Sequence, residues 1–535
     1  DVESRGLGDV YKRQELHLRS VTLTAKDKIC LCETRECTPE ACPYANGYYA
    51  RIKGALWDVL DVPCLTAETL QEYAERHTVC PFELGLDSSL WSDVIIGDYN
   101  YLFDPVVHLV RFFESAGDYI FLVDEAHNLP GRAREMHSAA LTKTSFYEAK
   151  KLLGKGKSSL KNTLTKVNDV FIEWRHRAEE ETAARDGRFG KTFFLKERSE
   201  EFDHLLNRLC EPLEAWLDDH REPDETHTAL LQLYFDVRAW LRVADTFDDH
   251  FVLQITASGS EVRAAQLCLD PSAFLADSFA LGRAAVLFSA TLAPASYYKD
   301  LCGVPEARAV ALRSPFPAGN QGLFCIGNVS TRYKDRDASL AIVAESLATM
   351  VRARCGNYLA FFPSYAYMEQ AYAQFKEHCP EINCIKQENA MDEQQKAAFL
   401  AQFVPGPSQT LLGFAVMGGV FGEGVDLTGD RLIGVGIVGP GLPQVGPRQE
   451  QLRDYFEQTR GSGFDYAYRY PGMNKVLQAA GRVIRTPRDK GVVLLIDNRF
   501  AMPDYRRLMP PHWSHLKMIY DTEKLERELW RFWEE

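Results

Sequence analysis

Short apolar runs that end in polar or glycine-rich turns recur along the chain: YIFLVDEAH at 119–127, AAVLFSAT at 284–291, NYLAFFPS at 357–364, TLLGFAV at 410–416, LIGVGIVG at 432–439 and VVLLIDN at 492–498. Unbroken runs of this length suit parallel strands buried on both faces. Helical patterns separate them, so the chain reads as α/β with ligand sites at strand C-termini. Between about 135 and 250 the pattern changes. Strand-like runs vanish, and Phe202, Leu205, Leu206, Leu209, Leu213 and Trp216 recur at helical spacing. This predicts a helical insertion whose apolar stripe packs on its own core.

A length of 535 residues exceeds what one core usually serves, so two or more domains are expected. The net charge of −14 excludes a wholly basic nucleic-acid coat and leaves room for a local basic groove. No apolar stretch approaches the roughly 18 to 20 residues that span a bilayer, and no signal-peptide pattern is present. A cytoplasmic protein without a membrane partner is therefore expected, and a monomer is taken as its state. In that compartment the thirteen cysteines are no disulfide framework. Six of them fall before residue 81, four within KICLCETRECTPEACPY at 28–44, which points to metal. The first fourteen residues, DVESRGLGDVYKRQ, have neither period and read as a non-native leader, so the genuine sequence is expected to begin near Glu15.

Four pieces carry chemistry. The strand YIFLV runs into Asp124, Glu125, Ala126 and His127. An acidic pair at a strand's C-terminal end can hold Mg²⁺ through the first carboxylate and polarise an attacking water through the second, although a surface turn has the same letters. Ser289 and Thr291 follow AAVLF, where hydroxyls can also simply cap a strand end. The stretch GGVFGEGVDLTGD at 418–430 joins glycines, Gly424 among them, to the carboxylates Glu423 and Asp426; such glycines let a backbone approach phosphates. In QAAGRVIR, Gln478, Arg482 and Arg485 are spaced four and three apart, on one face if helical. Two guanidiniums there can clamp a γ-phosphate, and a solvated basic helix is the plainer alternative.

In this order the pieces resemble motifs II, III, V and VI of superfamily 2 helicases, and VDEAHN with QAAGRVIRT most resembles the XPD/DinG family of iron–sulfur DNA helicases, over about residues 18–500. The resemblance implies two RecA-like P-loop helicase lobes with an inserted iron–sulfur cluster domain and a helical arch. The expected boundaries are 15–27 for a remnant of lobe 1, 28–90 for the cluster domain, 91–134 for lobe 1 with the DEAH box, 135–250 for the arch, 251–318 for the rest of lobe 1 and 319–535 for lobe 2. It implies an ATP-dependent helicase moving 5′ to 3′ on single-stranded and forked DNA, in repair or replication, with ATP, Mg²⁺ and a [4Fe-4S] cluster as cofactors.

Family roles then fall on Asp124 (Mg²⁺), Glu125 (water activation), His127, Ser289 and Thr291 (coupling), Gln478, Gly424 and Asp426 (nucleotide), and Arg482 and Arg485 (fingers). FFPSYAYME at 361–369 resembles motif IV, with Ser364 and Tyr365 as DNA contacts. The family's last cluster ligand lies in a CPY or CPF element before a YNYL-DP segment, matched here by Cys80-Pro81-Phe82 and YNYLFDP. The resemblance thus makes Cys80 the fourth ligand, Cys42 the third, Cys37 the second and Cys30 the first, with Cys32 competing for either earlier place and Cys64 a bystander. Zinc also takes four thiolates and remains open as the metal.

A phosphate-cradling loop G-x-x-x-x-G-K-[ST] is missing from the sequence. Gly156-Lys157-Ser158 and Gly190-Lys191-Thr192 have Lys151 and Arg185 where its first glycine belongs. Family order places the loop upstream of residue 15, so residues 15–535 alone are expected to hydrolyse ATP poorly, and near-normal DNA-stimulated turnover would contradict this. A non-catalytic nucleic-acid-binding scaffold and a zinc-bearing RNA helicase are the rival readings.

Overall fold

The computed structural model describes residues 18–154, 158–184, 190–222, 224–419, 421 and 427–534. The chain divides into two compact units, Asp1–Ser115 and Ala116–Glu535.

In the first unit, β1 (Ser20–Thr22) is the centre of a parallel sheet between β2 (Cys64–Leu65) and β3 (Val94–Ile96). Helices α1 (Tyr48–Val59), α2 (Ala67–His77) and α3 (Pro81–Ser88) bury Ile52, Ala55, Leu70, Ala74 and Leu84 together with Val21 and Ile29. The Thr66 hydroxyl accepts the Thr69 N–H at the start of α2, which ends on Thr78 in the left-handed region, φ 54°. That tight exit leads at once into α3. Pro81 occupies its first turn, where a missing N–H costs nothing, and Cys80 is the residue just before it.

The second unit begins with β4 (Ile120–Val123). An insertion follows: β5 (Ala139–Thr142), α4 (Ser159–Ala184), β6 (Lys191–Leu195), α5 (Glu200–Asp219), α6 (Glu225–Thr246), β7 (Phe251–Ser258) and β8 (Glu261–Cys268). The predicted stripe is buried at Phe202, Leu206, Leu209 and Leu213, against Phe171, Trp174 and Trp240. Trp240 Nε1 donates to Asp203 Oδ1 at 2.8 Å inside this core. The insertion is not helical throughout. Its strands β5 and β6 join β7 and β8 in an antiparallel sheet of order β5-β8-β7-β6, so the sheet takes strands from both sides of residue 250. The β6 segment KTFFL, with only three apolar residues, is too short to read as a buried apolar run.

After the insertion, β9 (Ala284–Leu287) pairs in parallel with β4, Ile120 opposite Ala284. Among the described residues this ribbon has two strands only. Ile120, Leu122 and Val286 are 65%, 59% and 51% exposed, against the expectation of strands buried on both faces; a two-stranded ribbon has too few neighbours to cover them.

The C-terminal lobe comprises β10 (Gln321–Ile326), α7 (Arg336–Arg352), β11 (Asn357–Phe362), α8 (Tyr365–His378), β12 (Asn383–Lys386), β13 (Leu411–Val416), β14 (Gly434–Val438), α9 (Tyr470–Ala480), β15 (Gly491–Ile496) and β16 (Lys517–Ile519). Its seven strands run parallel in the order β12-β13-β11-β14-β15-β10-β16. Every residue of β11, β14 and β15 is buried, as helices on both faces require. Gly472 lies so close to the Pro440 carbonyl that a Cβ would sit 2.6 Å from its oxygen, which fixes how deeply α9 packs.

Candidate functional site

The turn after β4 presents the acidic pair. The Asp124 carboxylate bends back to accept the Glu125 N–H at 2.7 Å. Glu125 has φ +43°, a left-handed conformation that a residue with a side chain adopts at a cost. The turn is pinned by the Ala126 N–H on the Phe288 carbonyl, 3.1 Å, just beyond β9. The ribbon thereby brings Ser289 alongside Glu125, and the Ser289 hydroxyl donates to Glu125 Oε2 at 3.1 Å. Thr291, buried, donates its N–H to Ser289 Oγ at 3.2 Å.

His127 is the centre of this arrangement. Its side chain is 3% exposed, with Nδ1 at 2.7 Å from Ser289 Oγ and 3.1 Å from Glu125 Oε2. Its other nitrogen, Nε2, meets the Gln478 amide nitrogen at 2.5 Å. With that amide donating, Nδ1 carries the hydrogen and passes it toward Ser289, whose own hydroxyl serves Glu125. One imidazole thus ties the DEAH turn to the hydroxyls after β9 and to α9 of the C-terminal lobe. The His127 hydrogen bond holds the Glu125 carboxyl below the usual carboxylate range; burial opposes this, and the Ser289 hydroxyl and the Arg482 guanidinium add to it. Glu125 is thus kept ionised.

Arg482 and Arg485 do not share a helical face with Gln478. Helix α9 stops at Ala480, and Gly481 follows as its cap. Arg482 is half-buried in the turn, and Arg485 is exposed in the loop beyond. Asp489, buried, shapes that loop: its carboxylate accepts the N–H groups of Arg485 and Thr486, both at 2.7 Å, and the Thr486 hydroxyl at 2.8 Å. Sequence reasoning missed Asp489, and the signal available was a lone acid within a basic stretch.

Gly424 and Asp426, with Glu423, lie outside the described residues. Ser364 caps α8, its hydroxyl accepting the Tyr367 N–H at 3.4 Å and the Arg336 guanidinium at 3.2 Å. The Tyr365 hydroxyl accepts the Gln387 amide at 2.8 Å.

In the first unit, Cys30, Cys32, Cys37, Cys42 and Cys80 all line one cavity of about 260 Å³, with Tyr44, Tyr48, Tyr49 and Phe82 around it. Cys64 lies elsewhere, exposed in β2. Burial pushes the Cys80 thiol up, while the Glu83 and Phe82 N–H groups at the start of α3 pull it down. Cys32 Sγ and Cys42 Sγ are 3.9 Å apart, yet no three metal-type side chains among the described residues are gathered closely enough to hold one ion. Thiols spread around a cavity fit the donor chemistry of a thiolate-bound cluster.

A family model described as DEAD_2 matches residues 13–146, and one described as Helicase C-terminal domain matches 347–516. The chain is similar to XPD-like helicases. It is 24% identical over 540 residues to the general transcription and DNA repair factor IIH helicase subunit XPD of Schizosaccharomyces pombe, covering 83% of this chain and 67% of that one. It is 22% identical to the ATP-dependent DNA helicase CHL1 of Coccidioides immitis, covering 84% and 60%. With regulator of telomere elongation helicase 1 of Homo sapiens it is 22% identical, covering 96% and 48%. The chain therefore spans from about half to two thirds of the length of these relatives. A solved structure titled XPD_Helicase matches with a TM-score of 0.56 at 17% identity over 95% of this chain and 92% of that one, and Xpd4 of S. tokodaii with 0.55 at 15% over 81% and 83%. These structures share the fold. No helix among the described residues is long and apolar enough to cross a membrane.

Proposed function

We propose that the protein is an ATP-dependent DNA helicase that moves 5′ to 3′ on single-stranded DNA and opens forks, in repair or replication, as a cytoplasmic monomer. The observation that carries this reading is the line of hydrogen bonds from Glu125 through Ser289 and His127 to Gln478, which links the water-activating carboxylate to the other half of an NTP-driven motor. The names of the relatives support the nucleotide and the DNA.

Asp124, an exposed hard-oxygen donor, would hold Mg²⁺, which supplies charge neutralisation at the β- and γ-phosphates. Glu125 accepts a proton from the attacking water. Arg482 and Arg485, in the turn and loop beyond α9, reach the nucleotide as the C-terminal lobe closes, and Gln478 at the end of α9 moves with them, so His127 senses closure at Glu125. Gly424 and Asp426 would contribute from the glycine-rich loop. The test uses the full-length protein: ATP hydrolysis should rise with single-stranded DNA, and a fork with a 5′ tail should open in preference to one with a 3′ tail. Stimulation by RNA alone, or no hydrolysis at all, overturns the reading.

The cysteine cavity would hold a [4Fe-4S] cluster through Cys37, Cys42, Cys80 and either Cys30 or Cys32, bracing residues 28–90; the sequence between 135 and 250 would form the arch. Zinc has one observation in its favour, since the 3.9 Å between Cys32 and Cys42 Sγ is close to the edge of a tetrahedron with metal–sulfur bonds of about 2.3 Å. Anaerobically purified protein is expected to show a broad visible absorption band, which zinc would not give. Cys42→Ser and Cys80→Ser are expected to bleach it, as is serine at the true first ligand but not at its neighbour. Protein that binds zinc and shows no band overturns the cluster.

A further inference from the structure

We infer that Tyr333 is a stacking platform for one base of a single strand, at the end of the C-terminal lobe opposite Gln478, Arg482 and Arg485. Gln478, Arg482 and Arg485 precede β15 and lie at its N-terminal end, whereas the loop 327–335 follows β10 and Ser364 follows β11, at their C-terminal ends. All these strands are parallel, so the two groups lie at opposite ends of one sheet, and the C-terminal ends are where open α/β sheets bind ligands.

The loop is held at both sides of the tyrosine. Thr331 is fixed by Asp497, which accepts its N–H at 3.0 Å and its hydroxyl at 2.5 Å. Ser330 donates to Asp335 at 2.6 Å, closing the loop on itself. Between these ties Tyr333 is 87% exposed, an unusual position for so large a ring on a fixed loop. Its backing is ordered: the Arg336 guanidinium lies 5.4 Å from the Tyr333 ring centre and 5.0 Å from that of buried Tyr367, and it donates to Ser364. Arg332 and Lys334 flank the ring, both exposed. Asp337 is the nearby exposed acid, and the Asp335 carboxylate is engaged by Ser330. A preset exposed ring between two cations suits a base flanked by two phosphates, and stacking tolerates any sequence.

This inference rests on the proposed DNA reading, and the test separates the two. Binding of the chain to a labelled oligothymidylate and to an abasic phosphodiester oligomer of equal length is measured by anisotropy. Tyr333→Ala should weaken oligothymidylate binding roughly tenfold and leave abasic binding unchanged. Tyr333→Trp should restore it. If Tyr333→Ala binds oligothymidylate like the parent, or loses both ligands equally, the platform is wrong while single-strand binding stands. If the parent chain binds neither oligomer, both readings fall.

Discussion

Arg482→Ala lowers ATP turnover of the full-length protein by about a thousandfold or more and leaves single-strand affinity within a few-fold. The magnitude is that of an arginine finger, which neutralises charge developing on the transferred phosphoryl group and touches the nucleic acid nowhere. The position supports this. Arg482 is the first residue past the Gly481 cap of α9, on a turn rather than a mobile helix end, and its charge is already felt by Glu125. Arg482→Lys should recover little, because an ammonium lacks the planar fork. Hydrolysis measured with and without single-stranded DNA, beside binding measured by anisotropy, decides it. Turnover within tenfold of the parent would remove Arg482 from the catalytic group.

Asp497→Ala is expected to destabilise the C-terminal lobe by about 3–5 kcal/mol, the cost of leaving one member of a buried ion pair alone. Asp497 follows β15 and is fully buried. It accepts the Arg499 N–H at 2.7 Å and its guanidinium at 2.8 and 2.9 Å, besides both groups of Thr331. Burial alone would raise its carboxyl, but the Arg499 and Thr331 hydrogen bonds hold it below the usual carboxylate range. A folded pKa lower than the unfolded one means a contribution that is present above the unfolded value of about 3.9 and lost as pH falls through the folded one. The urea midpoint of the lobe should therefore drop in Asp497→Ala at neutral pH, and the gap between the parent and Asp497→Asn should shrink in acid. An unchanged midpoint would refute the pair's role.

The C-terminal lobe was legible because a parallel sheet covered on both faces writes itself as unbroken apolar runs, and those ending at Phe362, Val416, Val438 and Ile496 are strands. Strands with one covered face or few residues escaped. KTFFL and NCIK offer a mixed pattern that only their partners explain. At the site, each of Glu125, His127, Ser289 and Gln478 could be named from its motif, but not the imidazole that joins them, since the contact between residues 127 and 478 is made by the fold. The helical face drawn through Arg482 and Arg485 failed for a local reason: the helix had already ended at Gly481. Asp489 and Asp497 went unread as organisers, because an acid beside a strand looks the same whether it is capped by solvent or by an arginine.

The ribbon of β4 and β9 sets a limit on how firmly Glu125 is held. Glu125 and Ser289 are held by the least covered pair of strands in the second unit, with apolar side chains at Ile120, Leu122 and Val286 left in water. Such a ribbon opens locally at small free energy, and each opening releases the 3.1 Å contact between carboxylate and hydroxyl. An added strand along either edge, or an apolar surface laid over these side chains, would stiffen the carboxylate without touching it. On the proposed reading, the position of the Glu125 carboxylate is coupled to how well this ribbon is covered.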